Sequence, residues 1–186
     1  MKIYRVRFDV ERYQWLIPED ESLWASGLLT FDCQRKGGGW QAPSVYVQNP
    51  KLEPGDFCNF APGALVARPS GLEVVQDLFE RAGELVPLAL GQERLTLLNV
   101  VECVNCLDEG ASTLRYGYPG RTPIGVEQYE FHVDRLSEST LFKIPQTSRA
   151  EVLTVEGLKD AHDEFKPVVE RAGLRGLEFD LLWESV

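Results

Sequence analysis

The chain has 186 residues, of which 44% are hydrophobic and 26% are charged, and its formal net charge at pH 7 is −10. This length favours a single domain whose core is large enough to be stable without metal or disulfide cross-links. The negative charge argues against direct nucleic-acid binding, because a phosphate backbone requires a clustered basic surface. No apolar run approaches the length of a membrane span, and no signal-peptide core follows the first residues, so we expect a cytoplasmic protein that does not bind membranes.

Short strands dominate the predicted elements of the first 70 residues. Residues 4–10 (YRVRFDV) alternate between apolar and polar side chains, which predicts a half-buried strand. Residues 16–24 contain a proline and three consecutive acidic residues and are predicted as a loop, and the glycine run 37–39 is predicted as a hairpin tip. The other strands predicted in this part are Leu28–Asp32, Val45–Val47, Phe57–Phe60 and Ala64–Arg68.

The first of two main helices is predicted over about residues 70–82. Ser70 and Glu73 have the spacing of a capping box, apolar residues follow at helical spacing, and Gly83 marks the end. Two apolar strands are predicted next, at Leu85–Leu90 and Arg94–Val104.

The rest of the chain is predicted as a long loop, three strands and the second main helix. Residues 109–126 contain four glycines and two prolines, and an irregular stretch of that length is usually functional or mobile. An apolar stripe predicts the helix over residues 156–172, with a kink at Pro167, which lacks a backbone donor. The strands are Tyr129–Asp134, Val152–Val155 and Leu177–Trp183. The predicted fold class is α+β: one domain over residues 1–186 with a mixed or antiparallel sheet and two main helices.

The four cysteines allow two interpretations. Cys103 and Cys106 form a CxxC, but they end an apolar strand, whereas a redox motif begins a helix that lowers the thiol pKa. A structural zinc would need four ligands, which Cys33 and Cys58 would have to complete. Because free cysteines in a cytosolic protein mostly behave as small apolar residues, we predict core cysteines, no metal and no cofactor. A zinc-stabilised binding module is the alternative.

Catalytic motifs are absent from the sequence, which contains no HExxH, no Gly-x-Ser-x-Gly and no phosphate-binding loop. The two histidines, His132 and His162, lie among carboxylates, a setting typical of solvated surface groups. We therefore predict that the protein is not an enzyme. A hydrolase that works from the loop at residues 109–126 is a second alternative.

Several segments, concentrated after residue 90, resemble a family of bacterial immunity proteins from polymorphic toxin systems, formerly classed as a domain of unknown function. They are mainly strand, turn and core residues, so they identify a fold better than a site. The resemblance implies a protein that binds and neutralises a toxin encoded beside it, and it implies no catalytic residues. The segments are Leu97–Val100, Cys106–Asp108 with Ser112, the strand ending at Arg135, Leu141–Lys143 and Ala172–Phe179, with Trp40, Pro43 and Gly55-Asp56 in a weaker N-terminal part.

Charge clustering selects the surface that we expect to meet the toxin. Nuclease toxins are commonly basic, and an acidic patch would speed and orient encounter with such a partner. The predicted toxin-binding residues form two groups: Glu19, Asp20 and Glu21, and Asp160, Asp163 and Glu164.

Overall fold

A computed structural model describes residues 1–117 and 123–185 and confirms the α+β class. Its strands pair in antiparallel sheets, and its two longer helices belong to the same core. In chain order the elements are β1 Lys2–Phe8, β2 Leu16–Pro18, α1 Ser22–Ala25, β3 Val45–Val47, β4 Phe57–Cys58, β5 Ala64–Ala67, α2 Pro69–Ala82, β6 Gly83–Leu90, β7 Glu93–Val100, β8 Thr113–Tyr116, β9 Pro123–Gln128, β10 Leu141–Phe142, β11 Leu153–Glu156, α3 Phe165–Arg171 and β12 Leu177–Glu184.

Two four-stranded sheets form the frame. One, the terminal sheet, has the order β10-β11-β1-β12, and the other, the central sheet, has the order β4-β5-β7-β6. In the terminal sheet, β1 pairs with β11, where Lys2 lies opposite Glu156, and with β12, where Phe8 lies opposite Leu177. Two-stranded sheets, β2 with β3 and β8 with β9, complete the architecture.

Helices α2 and α3 contribute, with both four-stranded sheets, to the largest apolar cluster. Four phenylalanines join these layers. Ring centroids lie 6.4 Å apart for Phe57 of β4 and Phe79 of α2, and 5.8 Å apart for Phe79 and Phe165 of α3. The chain of rings ends at Phe179 of β12, 6.2 Å from Phe165. Aromatic contacts therefore run from one sheet through both helices to the other.

The central sheet is buried on both faces, which explains the continuous apolar run of β5 and the burial of residues 97–100 in β7. Leu65 and Ala67 belong to the helix-containing cluster, whereas Ala64 and Val66 belong to a second cluster that includes the buried side of β2 and β3. A third cluster covers the other face of the terminal sheet with residues from the segment 106–131.

The chain before β3 differs from the prediction in three places. The stretch 16–24, predicted as a loop, contains β2 and the first three residues of α1. The segment 28–32, predicted as a strand, has no strand pairing. Leu29 and Phe31 are nevertheless buried, so their apolar side chains pack in the core without belonging to a sheet. Glycines 37–39 form a short 3-10 turn instead of a hairpin tip.

Helix α2 is confirmed, but its predicted capping box is not. Arg68 is the N-cap and Pro69 occupies the first turn, so Ser70 lies inside the helix. The Ser70 hydroxyl donates instead to Asp56 Oδ1 at 2.6 Å. Gly83 ends the helix as predicted.

The second main helix is much shorter than predicted. Strand β11 extends to Glu156, residues 157–164 are irregular, and α3 covers Phe165–Arg171. Pro167 therefore lies in the first turn, where backbone N–H groups have no intrahelical partner, so the predicted kink is wrong.

The predicted loop 109–126 contains strand β8 and the first four residues of β9, and its residues 118–122 lie outside the described part of the chain. Strand β7 ends at Val100, not at residue 104. The predicted strand at 129–134 is reduced to an isolated bridge between Phe131 and Leu107, followed by a short 3-10 turn.

Candidate functional site

The first acidic group connects β2 to α1, and all three of its residues are exposed. The Glu19 N–H donates to the carbonyl oxygen of Ser44 at 2.9 Å, which continues the pairing of β2 with β3. Asp20 Oδ1 accepts the Ser22 N–H at 2.9 Å, and hydrogen bonding with the side chain and, secondly, the backbone of Ser22 lowers the pKa of the Asp20 carboxyl. The backbone of the acidic group is thus held by regular structure on both sides, while its side chains face outward.

A cleft of about 440 Å³ opens beside this group. Its wall combines two acidic residues with apolar and small polar ones. A long basic side chain suits such a cleft, because its aliphatic stem can pack on the apolar wall while its charge meets a carboxylate. The residues that line this acidic cleft are Glu19, Asp20, Leu23, Leu28, Gln41, Ala42, Pro43 and Ser44.

Two partly exposed aromatic residues lie on the elements next to the cleft. Trp24 of α1 is 41% exposed, and its ring packs 6.0 Å from that of Phe60. Tyr46 of β3, opposite Ile17 of β2, is 42% exposed. Exposed tryptophan and tyrosine are the residue types that most often anchor protein interfaces. We name the set Glu19, Asp20, Glu21, Trp24 and Tyr46 the α1 surface.

The second acidic group does not form one surface. Asp160 is exposed, whereas Asp163 Oδ1 accepts a hydrogen bond from the Arg81 guanidinium at 2.9 Å. This bond from Arg81 lowers the pKa of the Asp163 carboxyl and ties the loop before α3 to α2. Asp163 therefore has a structural partner within the chain.

The prediction for Glu164 is corrected by its burial. Glu164 is 2% exposed, and its carboxylate accepts backbone N–H bonds from Gly157 at 2.9 Å, Leu158 at 2.6 Å and Lys159 at 2.7 Å. Charge-assisted bonds of this kind stabilise an otherwise irregular backbone. Glu164 holds the loop that replaces the first half of the predicted helix, and it is not available to a partner.

The cysteines separate into two kinds. Cys58 and Cys106 are fully buried in different apolar clusters, as predicted, and burial raises the pKa of the Cys106 thiol to about 12. Cys103 is exposed and Cys33 is half-buried, against the prediction of core cysteines. Among the described residues no three His, Cys, Asp or Glu side chains are placed to hold a metal ion, so the geometry gives the zinc alternative no support.

Lys143 is a buried charged residue that the sequence analysis did not identify. It is fully buried, its Nζ donates to the carbonyl oxygen of Phe31 at 2.7 Å, and burial lowers its pKa to about 8. The available signal was a lysine inside the apolar run LFKI, at residues 141–144. Such a pattern indicates either an exposed strand edge or a buried amine.

Among residues 1–117 and 123–185, each histidine has a single carboxylate partner within 4.0 Å. His132 Nε2 lies 3.8 Å from Asp108 Oδ2, and His162 Nε2 lies 3.3 Å from Asp163 Oδ2. Four surface cavities, of about 220, 260, 440 and 500 Å³, have no lining residue from the predicted loop 109–126. These cavities therefore give the hydrolase alternative no support.

No protein-family profile matches the chain, and no curated protein shows significant similarity to it. Over residues 1–117 and 123–185, no helix is long and apolar enough to cross a membrane. The chain is thus an α+β protein, and its exposed residues include the three carboxylates and two aromatic side chains of the α1 surface.

Proposed function

We propose that the protein is a cytoplasmic immunity protein, not an enzyme, that binds a bacterial toxin domain encoded by a neighbouring gene and neutralises it in a stoichiometric complex. The role follows from the resemblance of the segments after residue 90 to immunity proteins. The observation that carries the proposal in the structure is the α1 surface: three exposed carboxylates lie in the turn between β2 and α1, and the partly exposed Trp24 and Tyr46 lie on α1 and on β3, which pairs with β2. Interfaces commonly combine such aromatic anchors with complementary charge.

Charge supports a basic toxin as the partner, and a nuclease is the class with the best physical fit. A nuclease needs a positive surface to meet phosphate groups, and a protein with net charge −10 is attracted to that surface. The acidic cleft offers a receptor for an arginine or lysine side chain from that surface. Occupation of the toxin's basic groove by the α1 surface would exclude the nucleic acid.

The α1 surface is preferred over the second acidic group because its side chains remain available. Asp163 pairs with Arg81, and Glu164 is buried under its own loop. Of that group, Asp160 alone has an exposed side chain. A surface whose charges are already engaged gains less from a new partner, since the existing bonds must break first.

Co-expression with the C-terminal domain of the neighbouring toxin tests the role. We expect full rescue of growth and a complex that survives gel filtration. Failure to rescue would overturn the proposed function.

A matched pair of charge-reversal variants tests the surface. The triple variant Glu19→Lys, Asp20→Lys and Glu21→Lys should slow association with the toxin and weaken its dependence on salt. The control places the same charge change on other exposed positions: Glu73→Lys, Asp77→Lys and Glu127→Lys. If association with the toxin slows equally in both variants, the association rate depends on net charge and not on the α1 surface.

A further inference from the structure

The spacing of the CxxC motif indicates that the exposed Cys103 pairs with Cys106, but the fold gives Cys103 a different neighbour. Cys106 is buried in the third apolar cluster. Cys103 instead lies near Cys33, from the segment after α1: burial raises the pKa of the Cys33 thiol, and the neighbouring Cys103 thiol raises it further. The pair that the fold brings together is therefore Cys33 and Cys103, from parts of the chain far apart in sequence.

Backbone pairing places Cys103 beside Lys143. The two residues form a parallel bridge, in which the Lys143 N–H donates to Glu102 O at 2.9 Å and the Val104 N–H donates to Lys143 O at 2.8 Å. This register extends the terminal sheet beyond β10. Cys103 is thus fixed at a sheet edge and is not on a free loop.

The Lys143 side chain connects that edge to the segment that carries Cys33. Its Nζ donates to the carbonyl oxygen of Phe31, two residues before Cys33, at 2.7 Å. Cys33 has φ of +71°, a left-handed conformation that costs free energy for a residue with a β-carbon. The Lys143 bond to Phe31 therefore holds the segment that carries Cys33 against the sheet edge that carries Cys103.

Accessibility separates this pair from the other two thiols. Cys103 is exposed and Cys33 is half-buried, so a small oxidant reaches them from solvent. Cys58 and Cys106 have no exposed surface. The burial pattern therefore favours oxidation of Cys33 and Cys103 over oxidation of Cys58 and Cys106.

We propose that Cys33 and Cys103 form a reversible intramolecular disulfide when the protein meets a peroxide. The Cys103 thiolate attacks one peroxide oxygen and the O–O bond breaks, which leaves a sulfenic acid on Cys103 and, with the thiol proton, one water. The Cys33 sulfur then attacks the Cys103 sulfur, the S–O bond breaks, and hydroxide leaves with the Cys33 proton as a second water. Two thiols are oxidised by two electrons and hydrogen peroxide is reduced to two waters, and a small dithiol reverses the reaction.

The positive charge of the Lys143 ammonium assists the reaction. A cation beside a sulfur favours the thiolate, which is the nucleophilic form. Burial raises the pKa of the Cys33 thiol to about 12, with Lys143 acting in the opposite direction. The exposed Cys103 is accordingly the first to react, and Cys33 is the resolving thiol.

Peptide mapping tests this inference without any toxin, so its outcome is independent of the proposed function. The purified chain is treated with hydrogen peroxide, free thiols are alkylated, and the protein is digested without reduction. We expect one cross-linked peptide pair, containing Cys33 and Cys103, which a dithiol returns to two free peptides. A cross-link between Cys103 and Cys106, or recovery of Cys33 as a free thiol after peroxide, would overturn the inference.

The variant Cys33→Ser provides a second, independent measurement. Without its resolving partner, Cys103 should accumulate as a sulfenic acid that a dimedone probe labels, whereas the parent chain shows little labelling. Circular dichroism confirms that the variant is folded. Equal labelling of the parent and the variant would show that Cys33 does not resolve the intermediate.

Discussion

Lys143 reaches the carbonyl oxygen of Phe31 through the interior of the protein, 2.7 Å from Nζ to O, and this contact joins the terminal sheet to the irregular segment after α1. A buried ammonium with a protein acceptor is costly, because it has lost most of its hydration. The bond nevertheless provides a donor for the carbonyl oxygen of Phe31, which does not belong to a strand. Measuring the free energy of unfolding at several pH values separates the cost of burying the Lys143 ammonium from the benefit of this hydrogen bond.

Lys143→Met should remove a rise in stability at alkaline pH. Burial lowers the folded-state pKa from 10.5 to about 8, so between these values the unfolded chain binds the extra proton and stability increases with pH. We expect the parent chain to gain about 3 kcal/mol relative to the variant across this window. Urea unfolding of both proteins at the two ends of the window measures the difference. Parallel stability profiles would contradict it.

Glu164→Gln should destabilise the fold, because three backbone N–H groups lose a charged acceptor. The expected loss in the free energy of unfolding is about 1–3 kcal/mol. Asp160→Asn, a matched removal of one carboxylate from the same loop but at an exposed position, should change it by less than about 0.5 kcal/mol. Equal effects in urea titrations would show that the Glu164 bonds do not matter.

Two glycines after α3 provide a matched pair for backbone strain. Gly176 has φ of +107°, and a β-carbon there would lie 2.3 Å from the carbonyl oxygen of Phe57, so Gly176→Ala must move β4 away from the loop before β12. Gly173 has φ of +65° and open space around it. We expect thermal unfolding to show a cost of about 1 kcal/mol for Gly173→Ala and at least about 2 kcal/mol for Gly176→Ala. The reverse order would be inconsistent with the close approach.

Trp24→Ala should weaken toxin binding with little effect on folding. The prediction follows from the proposed function, and a hot-spot tryptophan contributes on the order of 2 kcal/mol to an interface. Val74→Ala, on the exposed side of α2, is a control of similar exposure, 42% against 41%. Calorimetric titration measures both. Unchanged affinity of the Trp24 variant would place the interface elsewhere.

Local patterns predicted the elements with strong periodicity. Helix α2 and strand β5 were found because one has an apolar face and the other a continuous apolar run. The second helix was overextended, because its apolar stripe continues through residues 157–164, where the carboxylate of Glu164 stabilises an irregular backbone. A tertiary hydrogen-bond set of that kind leaves no periodic signal in the sequence.

The candidate site was predictable in part for a similar reason. Three consecutive acidic residues next to a proline indicate a solvated turn, and Glu19, Asp20 and Glu21 are exposed. The second acidic group was misread because its members have different environments, from exposed to fully buried. The proximity of Cys33 and Cys103 depends on the pairing of distant segments, which the CxxC spacing does not report.

The position of β1 in the terminal sheet has a consequence for biosynthesis. This strand is synthesised long before both its partners, β11 and β12, which lie after residue 150. Both of its hydrogen-bonding edges therefore stay open until residues 153–184 have been synthesised. Contacts of such large sequence separation fold slowly, and open strand edges are prone to aggregation. The terminal sheet consequently forms late in synthesis, and loss of β12 in a prematurely terminated product leaves β1 with an unpaired edge.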